Sequence, residues 1–180
     1  GVQTCALPIW REDRLKLSEG AGEVFLERIV DIMRITPPGP TLERATVAFS
    51  FSITGRISGV ADRFDIAEES AAEVLSSPFL TPLVEYLANI ALALIAVERG
   101  DAPAARDPYA VLKRLRDRAP TFQISTDRFL GLLAHTMAEL DGAIGHFEEA
   151  LAFCRKAGNR PQLAWTCCDY ADALRERDGE

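Results

Sequence analysis

Apolar residues along this chain recur at intervals of three and four rather than in alternation, the spacing that gathers them on one face of a helix. The clearest run is Ala143, Ile144, Phe147, Ala150, Leu151 and Cys154. Helix-breaking residues fall between such runs: Pro37-Pro38-Gly39-Pro40, Ser76-Ser77-Pro78, Gly100-Asp101, Ala119-Pro120, Asp141-Gly142 and Gly158-Asn159-Arg160-Pro161. Runs and breakers together predict eight helices, over 20–35, 41–57, 61–76, 81–99, 102–118, 125–139, 141–157 and 161–177, and no strand. The stretch from Leu83 to Val97 is apolar nearly all round. It carries Glu85 and Asn89 and falls short of the ~20 residues that cross a bilayer, so it is expected to be a helix buried on two sides, not a membrane span.

An internal repeat sets the expected architecture. Ala67, Ala105 and Ala143 stand 38 residues apart. Around the last two the match extends, Leu92 with Leu130, Ala93 with Gly131, Ala96 with Ala134 and Tyr109 with Phe147. A further copy lies 37 residues on, where Cys167, Cys168 and Ala171 take the places of Leu130, Gly131 and Ala134. Each period is one helix pair. Small residues at fixed points allow the two helices to approach, and the aromatic four residues after Ala105 or Ala143 fills the gap towards the next pair. A single pair cannot bury its apolar face, so pairs must stack, which predicts an all-α solenoid of antiparallel helix pairs.

Composition narrows the function. The 180 residues are 48% apolar and 26% charged, proportions of a globular domain that needs no metal or disulfide to hold its core. A net charge of -7 argues against direct nucleic-acid contact, which rests on neutralising phosphates. Residues 1–9, Gly-Val-Gln-Thr-Cys-Ala-Leu-Pro-Ile, resemble the translation of a common sequencing adaptor. They are expected to lie outside the fold, leaving residues 10–180 as one helical-repeat domain, a fragment of a longer protein.

Catalytic chemistry is sparse. No Gly-x-x-x-x-Gly-Lys-Ser/Thr loop is present, and Gly20-Ala21-Gly22 lacks both a third glycine and a preceding strand. Gly55-Arg56-Ile57-Ser58-Gly59 places its serine one position late for a nucleophile elbow. The two histidines, His135 and His146, and the four cysteines show no recurrent metal-ligand spacing. Cys167 and Cys168 occupy small packing positions of the repeat, which predicts buried, reduced thiols. The expectation is a chain without enzymatic activity, cofactor or metal. The run Lys113, Arg114, Arg116 and Arg118 reads as a solvated face at a helix end, where cations suit the dipole.

At the repeat positions the sequence resembles the tetratricopeptide repeat, most closely at Leu130-Gly131, Ala143, Phe147 and Ala150-Leu151. It departs from that pattern at Asp127, Ala134 and Arg155, where the family often has Trp, Tyr and Pro. A broader likeness runs through residues 24–176. Met33-Arg34-Ile35-Thr36-Pro37-Pro38-Gly39-Pro40, the segment from His146 to Gly158, and Leu163-Ala164-Trp165-Thr166-Cys167-Cys168-Asp169-Tyr170-Ala171-Asp172 look like the repeat region of large bacterial ATPase-linked regulators of the LuxR type, or of cyclase-linked relatives. The resemblance implies a cytoplasmic interaction or regulatory module whose partner is a protein or peptide, including other domains of the same parent chain. An effector-sensing arm is the alternative.

Such repeats line a concave face with their first helices. The resemblance directs Ser125, Arg128, Leu132, His135 and Thr136 inward in one unit, and Gln162, Trp165, Asp169, Asp172 and Ala173 in the next. Leu87, Ile90, Leu94, Val97 and Glu98 in the preceding unit are together too apolar for an open groove. The candidate interaction surface is therefore Arg128, His135, Gln162, Trp165, Asp169 and Asp172. Trp165 is either its anchor or a core residue.

Overall fold

Local signals at the breakers set where the helices start. Thr81 Oγ1 accepts the Val84 N–H at 3.4 Å, Asp101 Oδ1 that of Ala104 at 3.0 Å, and Asn159 Oδ1 that of Gln162 at 3.2 Å. Each cap satisfies a first-turn donor that the helix itself leaves free. In this computed structural model the described residues are 42–58, 62–78, 80–117 and 125–179. They form seven helices and no strand: α1 (Leu42–Ser58), α2 (Asp62–Leu75), α3 (Pro82–Arg99), α4 (Ala102–Leu115), α5 (Thr126–Thr136), α6 (Leu140–Ala157) and α7 (Arg160–Asp178). The chain is all-α across these residues. The helix expected at 20–35 and the adaptor-like residues 1–9 lie outside them.

Three helices end in the same way. Gly100 and Gly158 adopt φ of 62° and 66° after α3 and α6, and the residue that follows each donates its N–H back to a carbonyl five residues earlier. This left-handed cap satisfies carbonyls at the helix end. Ala138 does the same after α5 with φ of 60°, and Glu139 N–H reaches the Ala134 carbonyl at 2.9 Å. The helix expected over 125–139 therefore ends at Thr136, three residues early, since an alanine gives no stop signal in the sequence. Its left-handed backbone is imposed by the tight connection to α6.

Each helix packs on the next in sequence, and α1, α3, α5 and α7 also pack on one another in succession. The repeated alanines lie at the close approaches: Ala67, Ala105 and Ala143 are all fully buried. Gly131 meets the Phe147 ring so closely that a Cβ there would stand 2.7 Å from two ring carbons. A core of Leu132, Ala134, Ala143, Phe147 and Ala173 joins α5, α6 and α7. The larger core centres on α3, whose Leu87, Ile90 and Leu94 are buried as their apolar character required. Among the described residues no helix is long and apolar enough to cross a membrane.

Candidate functional site

The repeat offset explains which residues meet between α5 and α7. Moving 37 positions along the chain carries Arg128 to Trp165 and His135 to Asp172. Arg128 reaches both its own counterpart and the residue one turn further on. Its guanidinium carbon stands 5.5 Å from the centroid of the Trp165 ring, and its Nε donates to Asp169 Oδ2 at 2.7 Å. One stripe lower, His135 Nε2 lies 2.7 Å from Glu176 Oε2. Arg128 and His135 are seven residues apart, as are Asp169 and Glu176, so two polar contacts in the same register fasten α7 to α5.

Burial separates the members of this group. The Arg128 and Asp169 side chains are 8% and 10% exposed, whereas Trp165 is 39% exposed and Asp172 lies open to solvent. Arg128 and Asp169 thus underlie the surface rather than form it. Trp165 is not a core residue: with Leu42 it is one of the two large apolar side chains exposed among the described residues. Asp172 is paired with Arg175 one turn away on α7. Gln162, a turn before Trp165, is half-buried, and its Oε1 is buried without a hydrogen-bond partner. The Ser125 hydroxyl, at the equivalent place before α5, is likewise buried and unpartnered. Of the six expected surface residues, Arg128, Trp165 and Asp169 converge. His135 joins α7 through Glu176, a partner that sequence reasoning missed although it lies one turn past Asp172.

A second polar network went unforeseen. Asp127, at the start of α5, forms an ion pair with Arg116, whose Nε lies 3.1 Å from Oδ1, and faces His146 Nδ1 at 3.4 Å. The other ring nitrogen of His146 shares a hydrogen bond with the Tyr109 hydroxyl at 3.1 Å. The two rings meet edge-on, and the Lys113 ammonium lies 5.4 Å from the Tyr109 ring centroid. This line of groups braces α4, α5 and α6 where they meet. The departure from the repeat pattern at Asp127, with a histidine at 146 facing it, was the available signal. Deeper still, the Tyr86 hydroxyl and Thr126 Oγ1 are 2.9 Å apart, and burial pushes the Tyr86 phenol above its usual range.

The cysteines correct one expectation. Cys154 is buried, and burial raises its thiol pKa, but Cys167 is exposed and Cys168 half-buried. The small packing positions of the repeat are thus not enclosed on α7. Among the described residues no three His, Cys, Asp or Glu side chains are grouped so as to hold a metal ion. His135 and His146 do not share a site, each being bound into a separate network. The basic run is exposed at Lys113, Arg114 and Arg116, and Arg114 pairs with Glu85 at 2.5 Å.

No protein-family model matches the chain, no curated protein matches it, and no solved structure matches it.

Proposed function

We propose that this chain is a non-catalytic protein-interaction or regulatory module, built as a right-handed solenoid of helix pairs and serving a larger bacterial signalling protein of the cytoplasm. The observation that carries the reading is the exposed Trp165, held from beneath by the buried Arg128–Asp169 pair. An indole whose orientation is already set loses little freedom on binding, which suits an interface anchor. The succession of α1, α3, α5 and α7 as direct neighbours supports the solenoid. The repeat residues Gly131, Ala143 and Phe147 support the tetratricopeptide likeness. The link to LuxR-type or cyclase-linked regulators rests on the quoted stretches of sequence.

A random peptide display library panned against the purified chain tests this reading. Enriched peptides are expected to lose binding to the Trp165→Ala variant while its circular dichroism and melting temperature stay unchanged. A library without enrichment, or peptides indifferent to Trp165→Ala, would overturn it.

A further inference from the structure

We propose that the partner presents a cationic side chain, arginine above all, which stacks on the exposed part of Trp165 and pairs with the acidic edge of α7. This rests on the interaction reading above and names its chemistry. Trp165, Asp169, Asp172 and Glu176 are spaced four, three and four residues apart, so they share one face of α7. That stripe contains one aromatic, three carboxylates and no base. Asp169 is committed to Arg128 beneath the surface. Asp172 and Glu176 are each more than half exposed, and their present partners, Arg175 and His135, leave them open to solvent.

The indole is suited to a cation. The ring's negative face attracts guanidinium, and Arg128 already stands 5.5 Å from the centroid with its charge offset by Asp169. A second guanidinium on the exposed part would repeat the same contact. It would have Asp172, seven residues along, within reach of the same peptide. Arginine fits better than lysine because its planar group stacks and forms paired hydrogen bonds to carboxylates. The net charge of -7 draws a basic peptide in at long range.

The test uses the full chain carrying Trp10→Phe, so that Trp165 is the remaining one of the two tryptophans. An amidated Arg-Gly-Arg-Gly-Arg peptide should change its emission saturably. The citrulline counterpart, equal in shape but uncharged, should bind at least about fivefold more weakly. Asp172→Asn should weaken the arginine peptide by about threefold, and added salt should weaken it further. Calorimetry on Trp165→Leu should show binding lost. Equal affinity for the citrulline peptide, or arginine-peptide binding undiminished in Trp165→Leu or Asp172→Asn, would overturn the proposal. Display peptides that need Trp165 but carry no arginine or lysine would also overturn it while leaving the interaction reading intact. Display peptides indifferent to Trp165 would remove both.

Discussion

Gly131 of α5 lies against the ring of Phe147 on α6, with no room for a single added methyl group. The small residue and the aromatic therefore form one unit, and the pair occupies corresponding places in the repeat that links Ala93 to Tyr109. Gly131→Ala should destabilise the fold by about 1 to 3 kcal/mol through overpacking, even though alanine is the better helix former by about 1 kcal/mol. Gly145, mid-way along α6 with open space around it, is the internal control. Gly145→Ala should stabilise by up to about 1 kcal/mol. Urea melts of the two variants should move in opposite directions; a shared direction would place the close crossing elsewhere.

Ala138 holds the left-handed position that glycine occupies after α3 and α6. Its side chain is exposed and makes no packing contribution that glycine would forfeit. Ala138→Gly should therefore stabilise by roughly 1 kcal/mol, the cost of a Cβ in that region. The reverse change at an equivalent cap, Gly158→Ala, should lower stability by a similar amount. Paired thermal melts check both.

Removing one member of a buried ion pair costs more than the pair itself contributes. Arg128→Met leaves the Asp169 carboxylate buried without its guanidinium and should cost about 3 kcal/mol. Asp169→Leu alone should also destabilise. The double variant should lose less than the sum of the two, because no charge is then stranded. A double-mutant cycle in urea measures this directly, and strict additivity would show that the contact is not coupled.

The buried Tyr86 phenol predicts a pH dependence. Burial raises its pKa in the folded chain, so the protonated form favours folding. That contribution is complete below the unfolded value of about 10 and is lost as the pH rises through the folded value. Tyr86→Phe should flatten the alkaline fall in stability. At neutral pH it should cost about 1 kcal/mol, since Thr126 loses its hydrogen-bond partner. Urea midpoints of both proteins at neutral and alkaline pH provide the comparison.

Helix positions and the spacing of close contacts were legible along the chain because both depend on neighbours a few residues away. Caps at Thr81, Asp101 and Asn159, the glycine stops, and the buried alanines at 67, 105 and 143 all follow from local chemistry and a fixed period. The end of α5 did not follow, because Ala138 takes its left-handed backbone from the way two helices join. The contacts of the candidate site are also tertiary. Arg128 meets Asp169, and His135 meets Glu176, across 41 residues and between helices whose relative rotation no sequence window contains. Exposure was decided at the same level. Trp165 and Cys167 could each have been buried by a neighbouring helix, and the packing of α7 on α5 and α6 turned both outward instead. A periodic pattern identifies which face of a helix is apolar, but the partner that covers that face is set by the rotation and offset of whole helices.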